Sequence, residues 1–565
     1  MVAGVSARGS ALSARMRTRL ADSARAFAAT ARNPSLLRAQ SAFGAAWTAE
    51  WAFTVGLGVV AFRDGGATAV GVVAFVRLAP SALLAPVGTA FADRFSRDLV
   101  LLWSCLIRAA ATAAATVALA VDGPPVAVYG LALLATAAFT VFRPTHSALL
   151  PTLCKTPLEL TAANVVRGLI DSLSTLVGPL AAALLLGFGS PAAVFAFAAA
   201  LSLGSGVLLL GLSYEAPRRA PPQPLRLILL ETIDGFRALA RHRPAAVVIG
   251  VAVAQTLTRG FFNVFVVVVA LELLRMGGPG VGVLTAAVGA GAVAGSLGAS
   301  MLVTGRRLGA VEGIGVALWG LPFVLIAAFP HHAVVLALMG MIGVGNALVD
   351  IGLFTLVQRL VPEDLLARVF GALESLIALA VAIGSLVTPL AIGLLGIRGA
   401  LAVLGLVAPA GVALAWRRLR AIDASIAHRD DEIEVLNRVA IFRPLPMPAI
   451  DTLALQVDHA EFAAGDEVFH QGDPGDRFYV IEDGEAEVIG DGHLIRTMRS
   501  GDGFGEIALL HDTARTTTVR ARTALRLYAL DRRHFLSAVS DYQSSAREAD
   551  TLADERLGVF DPRGS

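Results

Sequence analysis

The chain has 565 residues, 56% hydrophobic against 16% charged, and its mean hydropathy is +0.69. That is more apolar surface than one water-soluble core buries, so a purely soluble globular protein is excluded and lipid is the expected solvent. A net charge of +2 is too near balance to support a nucleic-acid partner, and two cysteines, Cys105 and Cys154, support neither a disulfide framework nor a metal site.

Residues 1–40 form a basic arm carrying Arg8, Arg15, Arg17, Arg19, Arg25 and Arg32, without the apolar stretch and cleavage site of a secretory signal. Twelve apolar runs of roughly bilayer-crossing length follow before residue 420. They begin near Ser41, Ala67, Asp98, Val126, Ala162, Ala192, Ala245, Gly280, Leu308, Ala333, Leu366 and Gly399. An even number of crossings leaves both termini on one side. Arginines in the N-terminal arm and at Arg94, Arg97, Arg218, Arg219, Arg237, Arg241, Arg306, Arg307, Arg417 and Arg418 identify that side as cytoplasmic. The loops expected outside, around Gly123, Ser190, Gly278 and His331, are short and nearly free of arginine.

A polar, proline-rich segment over 214–243 divides the runs into halves at 41–213 and 244–419. Val177-Gly-Pro-Leu-Ala in the fifth run is echoed by Val387-Thr-Pro-Leu-Ala in the eleventh. Repeated halves with a substrate site at their interface are a common transporter plan. The expected fold is therefore an α-helical membrane bundle of twelve transmembrane helices in two six-helix halves.

After Arg420 the composition changes abruptly. A charged connector helix is expected over 420–440, a β-rich soluble domain over 441–552, and a tail over 553–565. Strands are expected at Val468–His470, Phe478–Glu482, Glu485–Ile489, Leu494–Arg499, Thr517–Ala521 and Ala524–Leu530, with a closing helix from Arg532 to about Leu552.

The sharpest local signal is Gly501-Asp-Gly-Phe-Gly-Glu-Ile-Ala-Leu-Leu-His-Asp-Thr-Ala-Arg-Thr-Thr-Thr-Val519. A glycine-rich turn feeds a short helix whose free N–H groups can receive an anion, and Arg515 supplies a fixed positive charge nine residues after Glu506. This stretch, with the upstream Gly465-Asp-Glu-Val-Phe-His-Gln-Gly-Asp-Pro-Gly-Asp-Arg-Phe-Tyr-Val-Ile, resembles the phosphate-binding cassette of cyclic nucleotide-binding domains, which are β-rolls. The resemblance implies that Glu506 accepts the ribose 2'-hydroxyl, that Arg515 pairs with the cyclic phosphate, and that the backbone around Gly505, Ile507 and Ala508 completes the anion site. Ala514 stands where the family often has proline. Thr516 follows the arginine, a position where threonine can bond guanine in the family, so cAMP and cGMP both remain admissible ligands.

The loop Thr89-Ala-Phe-Ala-Asp-Arg-Phe-Ser-Arg-Asp98 resembles the signature loop of the major facilitator superfamily, with Asp93, Arg94 and Arg97 at matching positions. Thr89, Phe91, Ser96 and Asp98 depart from it. Phe142-Arg-Pro-Thr-His-Ser-Ala-Leu-Leu-Pro and Leu160-Thr-Ala-Ala-Asn164 look like the drug- and siderophore-exporter branch. The resemblance assigns Asp93, Arg94 and Arg97 a gating role. It also places the first, fourth, seventh and tenth spans around a central cavity, which would gather Glu50, Arg259 and Asp350 about the substrate, with Glu50 or Asp350 as candidates for proton coupling. Arg77, Arg108, Asp171 and Glu374 are expected to pair structurally.

These readings lead to a secondary transporter exporting small lipophilic or drug-like molecules, regulated by cAMP or cGMP. A membrane-anchored nucleotide receptor and a cyclic-nucleotide-gated channel are the alternatives, the latter weakened by the lack of a pore-loop or voltage-sensor pattern. No nucleophile–base arrangement, metal spacing or ATP-binding motif argues for an enzyme or a metal. The expected partners are the lipid bilayer, a cyclic nucleotide, a small-molecule substrate and a second copy joined through the C-terminal domain. The expected location is the inner (plasma) membrane, with both termini cytoplasmic.

Overall fold

A backbone placed in hydrocarbon must satisfy its own hydrogen bonds, and the described residues up to Ala421 do so almost entirely with α-helices. The computed structural model describes residues 33–92, 95–154, 157–212, 241–302, 307–361, 363–445, 447–540 and 547–553, with 236, 237, 239 and 545. Two compact units divide the chain, Met1–Ala421 and Ile422–Ser565.

In the first unit the helices are α1 Pro34–Ala92, α2 Arg97–Ala120, α3 Pro125–Thr140, α4 Phe142–Leu153, α5 Pro157–Phe188, α6 Pro191–Leu209, α7 Arg243–Val268, α8 Gly277–Leu302, α9 Leu308–Ala328, α10 His332–Leu360 and α11 Glu363–Gly405. α12, Val407–Leu436, carries the chain past the unit boundary. A π-helical turn, Val269–Leu273, extends α7. Among the described residues ten helical stretches are long and apolar enough to cross a membrane. Two of them are of double length. α1 leaves helical geometry at Gly65 and at Gly66, where φ is 60°, and α11 does so at Gly396, where φ is 69°.

Glycine sets how closely these helices approach. A Cβ at Gly343 on α10 would lie 1.9 Å from the Val288 carbonyl oxygen of α8, and one at Gly291 would lie equally close to the Gly340 carbonyl oxygen. The repeated proline segments occupy matching contacts. Gly71 of α1 meets Pro389 of α11, where a Cβ would lie 2.5 Å from the proline ring, and Gly282 of α8 meets the Pro179 carbonyl of α5 at the same distance. Without water to drive apolar surfaces together, such small-residue contacts supply the dispersion that associates helices.

Among the described residues of the second unit eight short strands form two antiparallel sheets. They are β1 Asp458–Phe462, β2 Glu467–Phe469, β3 Arg477–Asp483, β4 Ala486–Gly490, β5 His493–Met498, β6 Gly503–Phe504, β7 Thr518–Ala521 and β8 Leu525–Asp531. The sheet orders are β1-β8-β3-β6 and β2-β7-β4-β5. Alternation along β3 explains the two-sided core: Tyr479 and Ile481 pack with Val488, Phe504 and Leu527 between the sheets. Phe478 and Val480 face instead the helical layer of Ile433, Leu436, Phe442 and Phe535. That layer includes α13 Met447–Ala454 and α15 Arg532–Ser540, while α14, Glu506–Leu510, lies between β6 and β7.

Several details differ from the sequence expectations. β1 and β6 are additional strands. β1 is a polar edge strand paired with β8, so it lacks the apolar run that marks a strand, and β6 is two residues long. The closing helix is described as Arg532–Ser540 and a further helical stretch over 547–553. The arm over 1–32 and most of the 214–243 segment lie outside the described residues.

Gly343→Ala should lower stability by about 1–3 kcal/mol, because the added methyl group meets backbone that cannot rotate away. Gly371→Ala, with nothing within 4 Å of the new Cβ, should be neutral or stabilising. Thermal unfolding of the two variants in detergent compares them directly.

Candidate functional site

The glycine-rich turn of the soluble unit is built around a backbone conformation that a side chain opposes. Gly505 sits at φ 92°, immediately before α14, and a Cβ there would lie 2.6 Å from Nη1 of Arg515 and 3.1 Å from the Arg477 carbonyl oxygen. The missing side chain lets Arg515 run beneath the turn. Arg515 is only 3% exposed. Its Nη1 donates to the Gly505 carbonyl at 3.0 Å, and its Nη2 donates to the Arg477 carbonyl at 2.8 Å and to Asp476 Oδ1 at 3.2 Å. The guanidinium carbon lies 4.2 Å from the centre of the Phe469 ring, while Nε has no hydrogen-bond partner.

Burial pushes the Arg515 pKa below the ordinary arginine value, opposed by Tyr479, Asp476 and Glu506. A desolvated guanidinium of this kind is stabilised by an added anion.

Above it opens a cavity of about 280 Å³, near the lower bound of roughly 300 Å³ for small-ligand pockets. Gly505, Glu506, Ile507, Ala508, Arg515 and Thr516 all line it. Its polar side therefore holds one carboxylate, the guanidinium groups of Arg496 and Arg515, and the hydroxyls of Thr516 and Thr517; Phe469, Val488, Ile495, Phe504 and Val519 make the apolar wall, and Leu552 of the 547–553 helix reaches it too. Glu506 is 1% exposed. This arrangement suits a ligand with one anionic group, adjacent hydroxyls and a flat apolar body. Asp476 and Phe469, which hold Arg515 from either side, have no assigned role in the sequence reading, although both belong to the segment that carries the resemblance. Gly505→Ala should weaken ligand binding about tenfold or more, through roughly 1–3 kcal/mol of left-handed strain and displacement of Arg515. Calorimetry with a cyclic nucleotide reads the change.

In the membrane unit the three residues expected together have different charged partners. Glu50 is bound within its own half: Arg77 Nη2 lies 3.1 Å from its Oε1 and Arg108 Nη1 lies 2.6 Å from its Oε2. Arg108 is 1% exposed and its guanidinium also lies over the Phe139 ring at 4.2 Å. Glu50 is thus the hub of an ion-pair triad with Arg77 and Arg108.

Arg259 and Asp350 do lie within electrostatic reach of each other, together with the Arg143–Asp171 ion pair, whose N–O distance is 3.3 Å. Arg143, Arg259 and Asp350 are exposed. Asp350 accepts from the Asn346 amide at 3.0 Å. Arg143, and the fully buried Glu312 of α9, are charges the sequence reading passes over; an ionisable residue inside an apolar run is the signal that marks them. Of the gating residues, Arg97 Nη1 donates to the Ala148 carbonyl in the middle of α4 at 2.6 Å, and Asp93 and Arg94 lie outside the described residues.

Glu50→Gln leaves two guanidinium groups without their shared carboxylate and should cost about 3–5 kcal/mol of stability. The exposed Asp350→Asn should cost about 1 kcal/mol or less. Detergent-solubilised thermal unfolding separates the two.

Comparison with known proteins bears on both units. Residues 459–542 match the cyclic nucleotide-binding domain family. The cAMP-dependent protein kinase regulatory subunit of Schizosaccharomyces pombe is 41% identical over 102 residues, covering 18% of this chain and 25% of that protein. The regulatory subunit of the same name from Emericella nidulans is 36% identical over 100 residues, 17% of this chain and 24% of that protein. The chain spans about a quarter of the length of these curated relatives. Among solved structures, the regulatory domain of Toxoplasma gondii PKA with cAMP is 26% identical, with a TM-score of 0.21, covering 23% of this chain and 51% of that one. Residues 41–380, more than half of the chain, match the Major Facilitator Superfamily. The chain is therefore a multi-pass membrane protein of the Major Facilitator Superfamily that carries a cyclic nucleotide-binding domain in its C-terminal unit.

Proposed function

We propose that the chain is a secondary transporter that exports small lipophilic or drug-like molecules by alternating access, with a cyclic nucleotide biasing its conformational equilibrium. The observation that carries the regulatory reading is Arg515: buried, aromatic-stacked, with Nε unpartnered, on the polar side of a cavity that also presents Glu506. The similarity to cAMP-dependent regulatory subunits favours cAMP, and Thr516 at the cavity wall keeps cGMP as the second ligand to test. Counting the glycine-broken α1 as two crossings, and taking the last crossing from Gly396 into α12, gives twelve passes in two halves. Both termini then lie in the cytoplasm, where the nucleotide is made.

The charged cavity residues suit the transport reading. Arg259 and Asp350 in the second half face Arg143 and Asp171 in the first within electrostatic range, so an alternating-access motion has charges whose partners can be exchanged. Asp350, held by a neutral amide and open to solvent, is a better candidate for proton exchange than Glu50, which two guanidinium groups hold.

Arg515→Ala should abolish cAMP binding by calorimetry, a loss of about a hundredfold or more, since the phosphate would lose its charge-assisted partner. Wild-type affinity no better than that of the variant would end the regulatory reading. In proteoliposomes, flux of lipophilic test compounds should change with cAMP in the wild type and not in Arg515→Ala. Flux that ignores the pH gradient, or survives Asp350→Asn unchanged, would remove proton coupling through Asp350.

A further inference from the structure

The soluble unit holds a second cluster, made where the end of α12 lies against β1. His428 and Glu432 stand one helical turn apart on α12, and His459 projects from β1, whose register sets it opposite Tyr528 of β8. Glu432 is 7% exposed, and the neighbouring Ile433 is part of the unit's core, so the carboxylate is held in place by packing. Both imidazoles turn toward the same carboxylate oxygen: Nε2 of His428 lies 3.4 Å and Nε2 of His459 lies 3.5 Å from Glu432 Oε1. The two rings stack at 5.4 Å with 17° between their planes, and His459 meets the edge of Tyr528 at 5.2 Å. Among the described residues this is the one group of three such side chains whose donor atoms all fall within 4.8 Å of one another.

We infer that His428, Glu432 and His459 form a divalent-metal site of the two-histidine, one-carboxylate kind, suited to Zn²⁺. The distances are the reason. A proton shared between an imidazole nitrogen and a carboxylate oxygen draws them to about 2.7–2.9 Å. Both distances here are well beyond that, and they are nearly equal. Ligands bonded at about 2.05 Å around a tetrahedral zinc stand roughly 3.3–3.4 Å apart, close to what is seen. An octahedral ion with bonds near 2.1 Å would bring adjacent ligands to about 3.0 Å, so the tetrahedral ion fits better.

The electrostatic setting also favours a cation. Burial raises the pKa of Glu432, with His428, His459 and Arg429 acting against it and Glu482 with it. Zinc would compensate that desolvation directly, with the fourth position open to water on the exposed side of the two histidines. The sequence does not display such a site, because the third ligand is far along the chain and in a different element. Its consequence would be local: a metal here ties α12 to β1 within the soluble unit.

The test uses full-length protein without a polyhistidine tag, purified in detergent, stripped with chelator and re-equilibrated with Zn²⁺. One zinc per chain should remain after dialysis, and Co²⁺ in its place should give the intense visible absorption of a tetrahedral site. His428→Ala and His459→Ala should each weaken retention by about tenfold or more, at least the penalty of losing a supporting group in a metal site. Both histidines are largely exposed, so these variants should fold, and a monodisperse elution profile confirms it. His493→Ala, an exposed histidine on β5, should retain the wild-type metal content. Absence of zinc in the wild type, or zinc retained by the His428→Ala/His459→Ala double variant, would overturn the site. Metal content is read without nucleotide, so this result stands apart from the outcome of the cAMP experiments.

Discussion

Helices in a bilayer gain little from burying one apolar surface against another, so what holds the membrane unit together is how closely backbones approach. Glycine sets that distance. The α8–α10 contact, with Gly291 and Gly343 each facing a carbonyl oxygen of the other helix, leaves no room for a methyl group. Gly260 and Gly384 repeat the arrangement between α7 and α11, where a Cβ on either would fall 2.4 Å or less from the facing carbonyl. Such contacts account for many of the glycines within the helices of the membrane unit. Their intrinsic cost to helix stability is offset by dispersion available only at this range. Gly71 against Pro389 and Gly282 against Pro179 extend the same device to the proline segments repeated in the two halves.

Once the backbones are this close, a charge inside the bundle has few places to go, and the structure uses two solutions. Glu50 is held as an ion pair between Arg77 and Arg108, whose guanidinium groups lie over Phe53 and Phe139, an arrangement whose worth lies mainly in the penalty for breaking it. Arg143, Arg259 and Asp350 instead stay exposed, Arg143 paired with Asp171 and Asp350 held by the Asn346 amide, with Arg259 within electrostatic range of both. The first arrangement resists rearrangement. The second is easily altered by water, substrate or a change in the distance between the halves, which is what a transport cycle demands.

The sequence shows these levels unequally. Hydropathy places the helices within a few residues, because the length of an apolar run is fixed by bilayer thickness. The turn at Gly505 and its partner Arg515 are legible because a left-handed residue, an anion and a buried guanidinium constrain neighbouring positions together. Periodicity places Glu50 on a face with Trp47 and Thr54, yet it cannot say which helix supplies the partner, and Arg77 and Arg108 come from the return of α1 and from α2. β1 is missed for a related reason: its residues alternate weakly, and only the pairing with β8 makes it a strand. Pairings between distant segments, whether strand on strand or His459 with Glu432, are what a single sequence hides.

Regulation by a nucleotide requires that binding favour one conformation over another, and the geometry of Arg515 indicates where that difference can originate. Two of its donors are already committed to the Gly505 and Arg477 carbonyls and to Asp476, leaving Nε alone without a partner. An arriving phosphate can pair with Nε and, by competing with Asp476, with Nη2 as well; the Asp476 side chain is 71% exposed and is the easiest of the three acceptors to release to water. The exchange trades a carboxylate for a phosphate on one guanidinium, so the net gain is smaller than either contact. It is the difference between the two that is available to shift a conformational equilibrium. Asp476 stands just before β3, the strand that pairs with β8 and presents Phe478 to the helical layer, so a change at the nucleotide reaches that layer through a single strand.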